Sequence, residues 1–193
     1  MRKLFQYLLI ALSAVAVFTS CSNDDEPEIS TENTDDIQYE ENRKILVAYF
    51  SATGNTQRLA QQIISATGAD AFRIEAAEPY ASNPYDDSDK IQNESYNDLR
   101  PAVAVLHDNI EDYDVIFVGS PIWWHNPAMV VCTFLESYDL KDKIIVPFFT
   151  YGATTYLQQS VDKIYEVTPE SIHLPTYTGG GVEAWLRNIN IIK

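Results

Sequence analysis

The sequence predicts an α/β domain over residues 44–193, built on a doubly wound, five-stranded parallel sheet. Two observations carry this expectation. Short, continuous apolar runs fit strands buried on both faces, and the stretches between them repeat apolar residues at helical spacing. Their alternation along the chain implies parallel strands joined by crossover helices on both faces of one sheet.

The first run, 45–50, ends in a polar loop. Residues 56–66 then place Leu59, Ala60, Ile63 and Ile64 on one helical face, with Gly68 as the terminator. Further strands are expected at 71–76, 114–119, 143–150 and 171–176. The strongly apolar stretch 127–137 reads as a helix, with Pro127 at its first position and Asn126 as its cap. Residues 155–167 carry Leu157, Val161 and Ile164 at helical spacing, and 182–192 place Val182, Trp185, Leu186, Ile189 and Ile192 on one side. The long, polar segment 78–109 is dotted with tyrosines and is expected to hold a loop and one helix near 90–99.

Residues 1–20 stand outside this pattern. A short basic start leads into a nearly uncharged apolar run at 8–18, which has the length of a signal-peptide core and is short for a membrane span. The run ends in Phe18-Thr19-Ser20-Cys21, which resembles the lipobox of bacterial lipoproteins. That resemblance implies that Cys21 is acylated and becomes the mature N-terminus, so that a lipid anchor ties the protein to the membrane. Residues 21–43 are acidic and poor in apolar side chains, and read as a flexible tether. Asp24-Asp25-Glu26, close behind the cysteine, resembles the acidic export signal of surface lipoproteins in some Gram-negative bacteria; a solvated linker explains it equally well. The expected location is the cell envelope, at the outer membrane.

The formal net charge is −15, and removal of residues 1–20, with two basic and no acidic side chains, makes it −17. Nucleic acid is excluded as a partner, because phosphate-backbone binding draws on clustered Lys and Arg. An acidic surface suits a basic protein partner and also keeps a protein soluble. With Cys21 acylated, Cys132 has no disulfide partner, and its apolar surroundings at 129–135 make it an inert core residue. His107 and His173 show no metal-ligand spacing, so no metal is expected, and no Ser/His/Asp or Cys/His arrangement supports hydrolysis.

Chemistry concentrates in three loops. The first, Ser51-Ala52-Thr53-Gly54-Asn55-Thr56, sits between the first strand and the first helix and carries no charge. Helix-start N–H groups are unpaired and point forward, Gly54 permits a tight turn, and three hydroxyls add neutral donors. Such a loop holds a phosphate without Lys or Arg. The Gly-Lys-Ser/Thr of triphosphate loops and the G-x-G-x-x-G of dinucleotide sites are both missing there.

This loop resembles the FMN-phosphate loop of flavodoxins, T/S-x-T-G-N-T/S. Gly119-Ser120-Pro121-Ile122-Trp123-Trp124 is similar to the G-x-P-x-W stretch that wraps the flavin in the same family, and Thr150-Tyr151-Gly152 falls where the third flavin-contacting loop belongs. The resemblance implies a flavodoxin-like sheet in the order 2-1-3-4-5 with FMN as cofactor at its carboxyl edge. It assigns the phosphate to Ser51–Thr56 and the ring to Pro121, Ile122, Trp123, Trp124, His125, Asn126, Thr150, Tyr151 and Gly152, with Trp123 or Trp124 on one face and Tyr151 on the other. His125, the one ionisable group expected near the flavin, is read as a rim residue, with tuning of the cofactor as the alternative. The third loop is less glycine-rich than in many relatives. The implied role is electron transfer between a redox donor and an acceptor at the envelope; an NAD(P)H-dependent flavin or quinone reductase and a flavin-free binding lipoprotein remain as alternatives. If the negative charge crowds the cofactor edge, a low reduction potential follows.

Overall fold

The apolar run after Lys44 forms β1 (Ile45–Tyr49), and the polar loop beyond it leads into α1 (Asn55–Thr67). The computed structural model describes residues 37–152 and 154–193; the expected leader, Cys21 and the tether up to residue 36 lie outside the described residues. Helix α1 stops where expected, at Gly68 with φ +71°, whose N–H closes on Ile64 O at 2.8 Å. There follow β2 (Asp70–Arg73), α2 (Ser88–Tyr96), β3 (Val115–Trp123), β4 (Asn126–Pro127) and α3 (Met129–Glu136). The chain ends with β5 (Ile144–Thr150), α4 (Leu157–Val167), β6 (Ile172–His173) and α5 (Val182–Asn188).

Five strands run parallel in the order β2-β1-β3-β5-β6, which is the expected 2-1-3-4-5 once the short antiparallel β4 beside β3 is set aside. Alternate residues of the central strands feed two cores, so both faces are dry and the strand sequences read as unbroken apolar runs. Leu46, Ala48, Ile116, Val118 and Ile145 pack with α3 and α4 on one face. Val47, Tyr49, Phe117, Val146 and Phe148 pack with α1 and α5 on the other. Cys132 is fully buried on α3, and burial pushes its thiol up to about 12, so it stays protonated and unreactive.

Several boundaries differ from the sequence reading, each for a local reason. Strand β2 ends at Arg73 rather than at residue 76, because the chain leaves β1 after Ile74 and exchanges bonds with 102–104: Ala76 bridges Val103 antiparallel. Strand β6 spans two residues of the expected six, and Pro175 has no N–H with which to extend it. The helix expected from Pro127 begins at Met129. Pro127 instead pairs with Ile122, Ala128 occupies the N-cap, and Asn126 caps nothing. The C-terminal helix ends at Asn188, α2 lies slightly earlier than 90–99, and α4 is preceded by a 3₁₀ turn at Thr154–Tyr156. Part of the segment assigned to the tether packs on the domain: Ile37 is 7% exposed, and its carbonyl accepts from Asn190 Nδ2 at 2.9 Å.

An ion-pair network ties the elements beyond α2 together. The Arg100 guanidinium grips Glu136 of α3 through Nε and through Nη2 (2.9 Å to Oε1), and reaches Asp98 Oδ1 at 2.8 Å; Lys163 of α4 also pairs with Asp98, at 3.3 Å. The hydrogen bond from Arg100 holds the Asp98 carboxyl below the usual range.

Candidate functional site

Strand β3 overshoots β1, placing Pro121 opposite Thr150 of β5 while Tyr49 ends level with Gly119. A step is left at the carboxyl edge of the sheet, where β1 and β3 send their connections to opposite faces. Open α/β sheets bind ligands at such points, and the flavodoxin order is itself a standard example of that rule. A cavity of about 960 Å³ opens here.

The loop 51–56 supplies one end of it. Gly54 adopts φ +82°, which brings its N–H to Ser51 Oγ at 3.1 Å. Ser51 and Thr56 are both turned inward, at 2% and 1% exposure. Ser51 Oγ is engaged by the turn, whereas Thr56 Oγ1 meets Thr150 Oγ1 at 2.8 Å and links the first loop to the third. Thr53 and Asn55 face outward, joined by a bond from Asn55 Nδ2 to Thr53 Oγ1 at 3.2 Å. Helix α1 has neither a side-chain cap nor an acidic residue in its first turn, so its forward N–H groups keep their affinity for an anion.

The second loop is a tight reversal that the sequence does not announce. Trp124 (φ +48°) and His125 (φ +76°) form a two-residue left-handed turn between the paired Trp123 and Asn126. Turns of this hand favour Asn-Gly, and a Trp-His pair there costs roughly 1–2 kcal/mol per residue. The surrounding helices hold it. Ser95 Oγ of α2 donates to Trp124 O at 2.6 Å, and Ser160 Oγ of α4 donates to His125 O at 3.3 Å. The His125 ring stacks on Tyr156 with centroids 3.7 Å apart. Trp123 is wedged edge-on against Phe50 (5.3 Å) and Tyr80 (5.2 Å), whereas Trp124 is 38% exposed and meets Tyr96 at 6.0 Å.

Of the expected ligand residues, Ala52, Thr53, Asn55, Thr56, Pro121, Ile122, Trp123, Trp124, Thr150, Tyr151 and Gly152 line the cavity. Ser51 and Gly54 shape the loop from behind. His125 lies outside the lining, against Tyr156. Asn126 is also set back, 8% exposed, with Nδ2 donating to Ser95 Oγ at 2.9 Å.

The cavity also contains residues that the sequence reading missed. Asn83, Pro84, Tyr85, Ser88 and Ile91 form one wall, from the segment whose polarity gave no period to read. Tyr177 closes another side. Arg58 of α1, beyond the uncharged loop, also lines the cavity, and among the described residues no Asp or Glu does. Among the described residues no group of His, Cys, Asp and Glu is arranged to hold a metal ion.

Behind the Trp123 wall, Tyr80 donates from its hydroxyl to Glu94 Oε2 at 2.8 Å. Burial penalises the Glu94 charge and raises its carboxyl above the ordinary carboxylate range, against the partial offset of the Tyr80 bond. A raised folded-state value means that this group favours folding most below the unfolded value, about pH 4.3, and loses that contribution as pH rises. Glu94→Gln, which keeps an acceptor for Tyr80, is therefore expected to stabilise the domain at pH 7 and to change little at pH 4. Urea melts at the two pH values check this.

The fold and its edge cavity define an α/β domain built to hold a phosphate-bearing, flat ligand. Residues 44–179 match the family model described as flavodoxin, and the chain belongs to the flavodoxin family. A crystal structure of a putative flavoprotein from Bacteroides eggerthii is 36% identical over 77% of this chain and 98% of that one, with a TM-score of 0.66. A second, from Bacteroides uniformis, is 27% identical over 78% and 97%, with a TM-score of 0.61. A flavoprotein from Lactobacillus acidophilus crystallised in complex with FMN shares the fold at 22% identity over 70% and 92%, with a TM-score of 0.62. The search of curated proteins gave no match.

Proposed function

We propose that the domain binds FMN in the edge cavity and transfers electrons between a redox donor and an acceptor at the cell envelope. The observation that carries this reading is the meeting, in one cavity, of a helix start without a side-chain cap and the aromatic side chains of Trp123, Trp124 and Tyr151. The residues fit the group. Thr53, Asn55, Thr56 and the first N–H groups of α1 suit a phosphate monoester, and Trp124 with Tyr151 suits a planar ring. FMN, when bound, supplies the redox chemistry, while the protein binds, orients and screens it. Backbone groups of the second and third loops would hold the polar edge of the ring, and Trp123, fixed by Phe50 and Tyr80, holds the wall in place. Family membership supports the cofactor. The basic start, apolar run and Cys21 support export and lipid anchoring, which place the domain on the envelope.

A reductase that admits a nicotinamide is the second reading. It is favoured by a cavity at the upper end of small-molecule sites, roughly 300–1,000 Å³, and by an exposed aromatic at its rim, Tyr85 at 87% exposure. Anaerobic spectra separate the two. A carrier loaded with FMN stays yellow with NADPH alone and, once reduced by dithionite, passes its electrons to an added one-electron acceptor. Bleaching by NADPH within seconds moves the assignment to the reductase.

A further inference from the structure

Arg58 occupies a place that its own helix disfavours. It is the fourth residue of α1, where the aligned peptide dipoles leave a partial positive charge. The first turn contains no carboxylate to offset it. The other arginines among the described residues, Arg43, Arg73, Arg100 and Arg187, each have a carboxylate within ion-pair distance. Arg58 has none among the described residues, in a chain whose net charge is −15. Its guanidinium instead donates from Nη2 to the neutral Asn55 Oδ1, and Asn55 donates onward to Thr53 Oγ1 at 3.2 Å. This chain of bonds holds the cation beside Thr53 and Asn55, two of the loop residues that line the cavity. A second cation stands behind the loop, where Arg73 Nη2 donates to Ser51 O at 3.0 Å.

We infer that Arg58 is a specificity-determining residue: it supplies the charge that makes this cavity select a phosphorylated flavin over the unphosphorylated one. The inference rests on the FMN reading above and deepens it. A positive helix start and an unpaired guanidinium repel each other until an anion lies between them. A phosphate monoester relieves that repulsion and accepts charge-assisted bonds from the planar donor fork. Riboflavin offers the same ring without the charge.

The test titrates the flavin-free full chain with FMN and with riboflavin, following loss of flavin fluorescence at low and high salt. The native chain is expected to prefer FMN, with an affinity that falls as salt rises. Arg58→Gln is expected to weaken FMN roughly tenfold, to leave riboflavin within about twofold and to flatten the salt dependence. Arg58→Lys, which keeps the charge and loses the fork, falls between the two. An unchanged ratio of FMN to riboflavin affinity in Arg58→Gln overturns the inference, as does an equal loss of both flavins. A native chain that binds both flavins equally retains the cavity assignment and removes the charge selection. Binding of neither removes the FMN reading itself.

Discussion

Gly119→Ala is expected to cost the domain about 2–3 kcal/mol, at the upper end of the range for overpacking a dry core. Gly119 lies in mid-sheet, between Tyr49 of β1 and Phe148 of β5 in the ladder. A Cβ there stands 2.8 Å from Tyr49 Cβ and closer still to the Phe148 ring. Neither neighbour can yield freely. Phe148 is fully buried, and Tyr49 is backed by the core it shares with α1 and α5. Any shift of β5 is passed to Thr150, Tyr151 and Gly152, so ligand affinity is expected to fall with stability. A urea midpoint equal to that of the native chain would show that the ring swings aside at no cost.

Trp124→Ala is expected to weaken FMN binding about 30-fold while leaving the melting temperature nearly unchanged, by analogy with aromatic anchors at binding surfaces. The two adjacent tryptophans differ in what else they do. Trp123 is locked between Phe50 and Tyr80, so Trp123→Ala removes packing and lowers stability and binding together. Among the described residues the Trp124 ring meets Tyr96 edge-on, and the residue is 38% exposed. Its backbone strain is retained in alanine, because alanine also resists φ above zero. Comparing the dissociation constants and thermal melts of the two variants checks this. An unaltered FMN affinity in Trp124→Ala removes that ring from the ligand wall.

Most of the architecture was legible because each central strand announces itself. Ile45 to Phe50 and Ile144 to Phe149 are apolar without a break, as burial on both faces requires. The position of the loop from Ser51 to Thr56 was legible for a related reason: hydroxyls, an amide and a glycine between an unbroken apolar run and an amphipathic period mark a turn from strand to helix, and that turn lies at the cavity. The reversal at Trp124-His125 was not legible. Its conformation comes from the serines of two helices distant in sequence, and the residues themselves argue against it. That missed hairpin also misplaced the start of α3, since Pro127 suits a helix start as well as a terminal strand position. The wall from Asn83 to Ile91 had no period to read, because its contacts face a cavity on one side and solvent on the other. Arg58 was visible as a residue but not as a loop neighbour; only the first turn of α1 brings it to Asn55.

An equilibrium titration tests most directly whether this cavity takes FMN. Flavin-free full chain mixed with FMN is expected to bind one equivalent with a dissociation constant of about 1 μM or below, near −8 kcal/mol, and to shift the visible flavin bands. A colourless protein that leaves the FMN spectrum unaltered at micromolar concentrations contradicts the account.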